Sequence, residues 1–354
     1  MELADMKAVV HIGTAKTGTT SIQRFLNVNR QQLIDQGILY TRYLKAGTFG
    51  RAQPEYMRYA LSKTRRLLKD QVAARHHRFH TLEELDRMVE GFDDWLAEQA
   101  STPGCDSFVI SSEQIWVHLR PEATMRALHD LMLRHFDDVT YVLYIRRQDK
   151  WLASMYSETL RNAMSHSFEA FLTKRGAPDY HHDIRNLVDV LGRDRVEVRL
   201  FERDVMKGHD VVDDFCAVAG IDPTDLKRPE RMNEALSLRA SRVLRRLNGL
   251  ATSVSKRGSD RHARMTRAAR RFVYAYLNQG RGLSLTPAQR DQVLAQCADS
   301  NEQLRQWLFP DRETLFDMRD VATPPGKTPG GKTQAQNLQP LHAPGLPGAE
   351  RKPN

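Results

Sequence analysis

The fold is decided by residues 7–26, which read KAVVHIGTAKTGTTSIQRFL. The first half of this stretch is an almost continuous apolar run, which is typical of a buried strand. The second half carries Ile22, Phe25 and Leu26 at helical spacing. A turn rich in glycine and threonine joins the two halves. The stretch therefore predicts a strand, a tight turn and a helix.

The turn has the composition of a phosphate-binding loop. Gly13 and Gly18 bracket small residues, so the backbone can curl and point successive N–H groups inward, beside the positive end of the next helix. Lys16 adds a full positive charge. The triphosphate P-loop, G-x-x-x-x-G-K-[ST], has the same glycine spacing, but Thr19 stands here where its lysine would be. The sequence predicts an anion site whose lysine lies inside the loop.

A second phosphate-type site follows a later strand. Residues 139–145 form an apolar run that predicts a strand, and a helix is expected from about Asp149 onward. Arg146 ends the strand, and Ser154 lies eight residues further on, about two turns into the helix. An arginine and a serine placed in this way can both reach one phosphate.

Both motifs resemble those of sulfotransferases that use 3′-phosphoadenosine 5′-phosphosulfate as the sulfuryl donor. That family's loop reads roughly Pro-Lys-Ser/Thr-Gly-Thr-Thr, and Ala15 replaces the proline here. The family's arginine and serine, eight residues apart, correspond to Arg146 and Ser154, and imply 3′-phosphate binding there. The family often has Asn-Pro or Asp-Pro after the arginine, where this chain has Arg147-Gln148. The loop residues that the resemblance assigns to the 5′-phosphosulfate are Thr14, Lys16, Thr17, Gly18, Thr19 and Thr20.

The resemblance also implies catalytic roles. Lys16 would stabilise the departing phosphate, and Glu113, at the end of a predicted strand, would take the proton of the acceptor hydroxyl, with His118 in reserve. Residues 255–258 resemble the family's late Arg-Lys-Gly loop, so Arg257 is either a third nucleotide contact or a solvated basic residue. Residues 300–302 and 307–316 resemble the closing segment of bacterial carbohydrate-type sulfotransferases, which implies a sugar hydroxyl as acceptor. A sulfuryl group carries less negative charge than a phosphoryl group, so we expect no metal ion.

The alternation of strands and helices predicts an α/β fold. We expect three layers, P-loop-like, with a central parallel sheet flanked by helices. One domain is expected over residues 1–320, with a helical insertion over residues 41–104 as the candidate acceptor lid. Residues 321–354 are rich in Pro, Gly, Lys and Gln, and this composition predicts a disordered tail.

Composition narrows the classes of partner. The chain has 354 residues and a net charge of +9, which suits anionic ligands. Three cysteines without a Cys-x-x-Cys pair predict neither a zinc site nor a disulfide framework. His76 and His80 have metal-ligand spacing, but no third ligand accompanies them. No apolar run approaches the roughly 20 residues that span a bilayer, so we expect no transmembrane segment and a cytoplasmic protein.

Two other functions remain open. A P-loop kinase or other nucleotide triphosphatase would share the glycine spacing, but it needs a lysine after Gly18 and a strand ending in Asp for magnesium. A non-catalytic polyanion-binding protein could be built from the basic helices after Ser237. Those helices do not interleave aromatic residues as a nucleic-acid platform would, so no nucleic acid is expected as a partner.

Overall fold

Strand β1 lies at the centre of a parallel sheet. The computed structural model describes residues 6–43, 53–68, 77–230, 236–256 and 259–322. Within these ranges the strands are β1 (Lys7–Gly13), β2 (Ile38–Leu39), β3 (Ser107–Ser111), β4 (Asp138–Ile145) and β5 (Val196–Leu200). They form one five-stranded sheet of order β2-β3-β1-β4-β5, and every adjacent pair is parallel.

Helices cover both faces of this sheet. In chain order they are α1 (Thr19–Val28), α2 (Arg30–Asp35), α3 (Glu55–Lys63), α4 (Leu82–Val89), α5 (Phe92–Ala100), α6 (Glu113–His118), α7 (Glu122–His135), α8 (Gln148–Arg161), α9 (Phe168–Arg175), α10 (Tyr180–Leu191), α11 (Val211–Ala219), α12 (Leu238–Val254), α13 (Asp260–Tyr276), α14 (Pro287–Gln296), α15 (Ala298–Leu308) and α16 (Arg319–Ala322). None of these helices is both long and apolar enough to cross a lipid bilayer.

The two faces of the sheet belong to two separate cores. Successive strand residues point to opposite faces, so Val10 joins one core and its neighbour Val9 joins the other. The first core includes residues of α3 to α7, α10 and α15, and the second includes residues of α1, α2 and α11. The predicted α/β fold, a three-layer P-loop-like arrangement around a parallel sheet, is confirmed.

Some predicted boundaries differ from those in the structure. The helix expected after the loop is divided at Asn29, because its side-chain amide donates to the carbonyls of Phe25 and Lys227 and its oxygen accepts the N–H of Lys227. The helix expected over residues 81–99 is divided at Gly91, whose φ of 73° is left-handed. Glu113 was expected at the end of β3, but it begins α6.

Parts of the predicted insertion and tail are not covered. Helices α3, α4 and α5 lie within the insertion, whereas residues 44–52 and 69–76 are outside the described residues. The predicted tail is also outside them, apart from its first two residues, which end α16. The division into a domain, an insertion and a tail therefore stays a prediction.

Candidate functional site

The loop between β1 and α1 is a tight curl at the carboxyl edge of the sheet. Gly13, Lys16 and Gly18 have φ values of 118°, 69° and 85°, so the chain repeatedly enters the left-handed region. The Thr17 and Thr19 hydroxyls both donate to the Thr14 carbonyl, at 2.6 and 3.3 Å. These bonds hold the curl closed from within.

The loop leaves a row of backbone donors unused. The Thr14 N–H donates to the Tyr144 carbonyl on β4 at 3.1 Å, as does the Thr14 hydroxyl at 3.0 Å, so this residue ties the loop to the sheet. No hydrogen bond within the described residues uses the N–H groups of residues 15–20. Helix α1 has Gly18 at its N-cap, no side-chain cap and no acidic residue in its first turn. Six successive N–H groups beside an uncapped helix end can bind an anion with several oxygens.

Gly18 leaves no room for a side chain. A Cβ at this position would lie 2.6 Å from Val211 Cγ1 and 3.2 Å from Phe201 Cε2. A Cβ at Gly13 would lie 3.4 Å from the Cα of Glu113. The loop is therefore packed between the start of α11 and the start of α6, which fixes its shape.

Two hydrogen bonds join the loop to the segment after β4. Nη1 of Arg146 donates to the Lys16 carbonyl at 3.0 Å, and Nε1 of Trp151 donates to the Ala15 carbonyl at 3.0 Å. Parallel strands end at the same edge, and β1 and β4 are neighbours, which explains why the two predicted motifs meet. Both candidate phosphate sites are thus parts of one surface.

Arg146 and Arg147 have different surroundings although they are adjacent. Arg147 is buried and pairs with Asp149 at 2.8 Å and with Asp320 at 2.5 Å. Arg146 has no ion pair with any carboxylate in the described ranges, and its guanidinium lies over the Phe201 ring, 5.4 Å from the centroid. Burial lowers the pKa of Arg146 from its usual value. Arg147 is therefore neutralised within the fold, whereas Arg146 can pair with a bound anion.

Lys16 has a partner that the sequence analysis did not identify. Its Nζ lies 2.7 Å from Oε2 of Glu158, on helix α8. Ser154 precedes Glu158 by four residues, so both lie on the same side of that helix. The Ser154 hydroxyl is partly exposed and makes no hydrogen bond within the described part of the chain. In the sequence, the four-residue spacing from Ser154 was the one indication that Glu158 lies at the site. A glutamate in a helix is otherwise typical of a solvated surface.

Glu113 is close enough to Lys16 and Glu158 to be influenced by both charges. Burial raises the pKa of its carboxyl group, Lys16 partly offsets that rise, and Glu158 adds to it. Its carboxylate makes no hydrogen bond with any described residue. His118 lies at the other end of α6, where its ring contacts His77 at 5.3 Å between centroids. The structure therefore brings Glu113 to the loop and leaves His118 a helix length away.

A cavity of about 750 Å³ opens beside Arg146. Its volume lies within the range of about 300 to 1,000 Å³ that is usual for small-molecule sites. One wall comes from the ends of β4 and β5, and the other from a C-terminal segment, residues 312–319. Glu202 joins the walls, since it accepts from the Asp317 N–H at 2.6 Å and pairs with Arg312 at 3.0 Å. A nucleotide bound at Arg146 could extend into this space.

The remaining predicted site residues are less informative. Arg257 lies outside the described residues, as does His76 of the histidine pair. His80 donates its backbone N–H to Glu84 at 2.6 Å, close to the start of α4. Within the ranges that the structure covers, no group of three or more His, Cys, Asp or Glu residues could hold a metal ion.

Comparison with known proteins gave limited matches. No family model matches the chain. An uncharacterized protein from Archaeoglobus fulgidus is 31% identical over 108 residues, and the match spans 30% of this chain and 30% of that relative's length. Among solved structures, a sulfotransferase from Alicyclobacillus acidocaldarius superposes with a TM-score of 0.39 at 16% identity, over 76% of this chain and 96% of that one.

Proposed function

We propose that the protein is a sulfotransferase that moves a sulfuryl group from 3′-phosphoadenosine 5′-phosphosulfate to an acceptor hydroxyl. The observation that carries the proposal is the hydrogen bond from Arg146 to the Lys16 carbonyl. It joins a loop with six unused N–H groups to an arginine without a carboxylate partner among the described residues. One nucleotide with anionic groups at its 5′ and 3′ positions can bridge these two sites.

Each end of the donor is assigned to residues with free binding capacity. The N–H groups of residues 15–20 would bind the 5′-phosphosulfate oxygens, and Arg146 and Ser154 would bind the 3′-phosphate. The hydroxyls of Thr14, Thr17 and Thr19 donate to carbonyl groups within the protein. In this proposal the three side chains therefore shape the loop, and Thr17 and Thr19 contribute their backbone N–H groups to the donor.

The proposed reaction is an in-line displacement at sulfur. The acceptor oxygen bonds to sulfur while the bond from sulfur to the bridging oxygen breaks, and that oxygen leaves with adenosine 3′,5′-bisphosphate. Glu113 takes the hydroxyl proton, for which its raised pKa is suited. Lys16 stabilises the charge that develops on the departing phosphate. Lys16 and Arg146 supply the positive charge, so the proposal includes no metal ion.

The acceptor is proposed to be a sugar, and the insertion is proposed to cover it. The sugar rests on the family resemblance of residues 300–302 and 307–316. The lid is supported by contacts between α3 and α6, the helix that begins with Glu113. In addition, the Gln53 side-chain oxygen accepts the Ser111 N–H at 2.7 Å, which holds the insertion at the end of β3. We propose the cytoplasm as its location, where the nucleotide donor is made.

Isothermal titration calorimetry tests the proposal against its alternatives. The purified protein is titrated with adenosine 3′,5′-bisphosphate and, separately, with ATP and magnesium. We expect the bisphosphate to bind and ATP to bind at least tenfold more weakly. A preference for ATP would indicate a kinase or triphosphatase, and binding of neither nucleotide would favour a non-catalytic polyanion-binding protein. Screening hydroxyl acceptors with a sulfur-labelled donor would then identify the acceptor.

A further inference from the structure

Helix α13 buries few of its own side chains. Of its 17 residues, only His262 and Val273 are buried. It packs against α12, which in turn is anchored to α8 by Asn248, whose side-chain amide donates to the carbonyls of Leu160 and Met164 at 2.7 and 2.9 Å. A helix of this length with so little buried surface presents most of its circumference to the surroundings.

The outer side of α13 carries a stripe of arginines. Arg264, Arg267 and Arg271 are exposed and recur at intervals of three and four residues, which places them along one side of the helix. No described carboxylate lies within ion-pair distance of any of the three. The helix has five arginines and a single acidic residue, Asp260, and α12 adds four arginines and no acidic residue. The positive charge is therefore concentrated on these two helices, and the three arginines of the stripe have no ion-pair partner among the described carboxylates.

Exposed aromatic rings lie next to this stripe. Phe272 and Tyr276 are 50% and 70% exposed, and their ring centroids are 5.4 Å apart. They are one turn apart, so they share a side of the helix, and the exposed Ala268 and Ala275 fall between them and the arginines. Two large rings held in water are unfavourable unless a partner covers them.

We propose that α13 docks on the surface of an anionic lipid bilayer. Arginines pair with anionic headgroups, and Phe and Tyr rings insert at the boundary between headgroups and acyl chains. The aromatic pair favours a bilayer over a polyanion that presents charge alone. Nucleic-acid bases also stack on aromatic rings, and no such rings were expected from the sequence of these basic helices. The two rings here lie 5.4 Å apart at 45° to each other, so they leave no space for a base between them. The helix lies on the bilayer surface and does not cross it. This inference does not depend on the proposed enzymatic function.

Vesicle sedimentation with the full chain tests the proposal. The vesicles contain phosphatidylglycerol and phosphatidylcholine in equal amounts, or phosphatidylcholine alone. We expect binding to the anionic vesicles only. One variant combines Arg264→Gln, Arg267→Gln and Arg271→Gln, and a second combines Phe272→Ser and Tyr276→Ser. Each should lower the partition coefficient at least tenfold with an unchanged circular dichroism spectrum, because all five side chains are exposed.

A matched control removes the same charge elsewhere. Lys63→Gln, Arg65→Gln and Arg66→Gln together alter exposed side chains at the end of α3 and should leave binding within twofold. An equal loss in this control would overturn the assignment to α13, as would failure of the unmodified protein to bind the anionic vesicles. The aromatic variant could also bind the anionic vesicles as well as the unmodified protein does, with duplex DNA displacing both. That result would show a site for soluble polyanions and refute docking on a bilayer.

Discussion

Replacing Gly18 by alanine should destabilise the protein by more than its backbone conformation alone requires. The left-handed φ of 85° costs a residue with a side chain about 1 to 2 kcal/mol. In addition, the new methyl group would lie 2.6 Å from Val211 Cγ1, a contact that the packed neighbour must move to relieve. Such overpacking costs typically about 1 to 3 kcal/mol. We expect a loss of about 2 to 5 kcal/mol in the free energy of unfolding.

Gly104→Ala provides the matched control. Gly104 has a similar φ of 77°, but a Cβ there would meet no atom within 4 Å. Its replacement should cost only the conformational part, about 1 to 2 kcal/mol. Urea unfolding followed by circular dichroism gives both values by linear extrapolation. The same Gly18→Ala protein should bind adenosine 3′,5′-bisphosphate at least tenfold more weakly, because the loop must shift to accept the methyl group.

A double variant tests whether Val211 is the cause. Val211→Ala removes the clashing methyl groups at the price of a small cavity, so Gly18→Ala should be less damaging in that background than in the unmodified protein. Equal losses from Gly18→Ala and Gly104→Ala would refute the packing argument. So would a Gly18→Ala penalty that is unchanged when Val211 is truncated.

Four further predictions concern charged groups. Glu158→Gln should tighten bisphosphate binding about fivefold in calorimetry, because it frees Lys16 from a partly exposed pair worth about 1 kcal/mol. Arg146→Ala should weaken a nucleotide with a 3′-phosphate at least tenfold, and adenosine 5′-phosphosulfate, which lacks it, much less. Glu113→Gln should lower turnover about 100-fold at unchanged donor affinity. In the unmodified protein the rate should rise with pH as Glu113 loses its proton, at a pH above the usual glutamate range because burial raises its pKa, and the variant should lack that rise. Burial raises the pKa of Glu55 to about 7, so the contribution of this carboxyl group to stability should fall by about 3 kcal/mol as pH rises from 4 to 7, and the difference in unfolding free energy between the unmodified protein and Glu55→Gln, measured in urea, should change by that amount.

Each of these four has a result that would contradict it. If Glu158→Gln tightens binding equally in a Lys16→Ala background, the effect does not pass through the ion pair. If Arg146→Ala loses the same affinity for both nucleotides, Arg146 does not bind the 3′-phosphate. Unchanged turnover in Glu113→Gln would show that Glu113 is not the base, and His118 would then be the next candidate. A difference in stability between the unmodified protein and Glu55→Gln that stays constant from pH 4 to pH 7 would contradict the raised pKa of Glu55.

The sheet and the loop could be predicted from sequence because their signals are local. The change from a continuous apolar run to helical spacing within residues 7–26 defines β1, the turn and α1. Parallel strands bring their carboxyl ends together, so Arg146 could be expected near Lys16. The continuous apolar runs also indicated strands covered on both faces, and nearly all residues of β1 and β4 are buried, with successive ones in opposite cores.

The remaining features depend on contacts between distant parts of the chain. Asn29 divides a helix because Lys227 lies beside it, which no local pattern indicates. Glu158 resembles any solvated glutamate until Lys16 is placed within 2.7 Å. Likewise, Arg146 and Arg147 have the same chemistry in sequence, but Arg147 alone pairs with carboxylates, those of Asp149 and of Asp320, and the latter lies 173 residues away.

The late position of the cavity wall has a consequence for synthesis on the ribosome. The curl around Lys16 and the strands beside it are translated first, but residues 312–319, which close the cavity, are translated after all the strands. Until they emerge, Glu202 lacks Arg312 and the Asp317 N–H, and Arg147 lacks Asp320. The residues that fix the loop around Lys16, among them Tyr144 and Val211, are translated before this segment, so the cavity beside Arg146 is enclosed only after residues 312–319 have emerged.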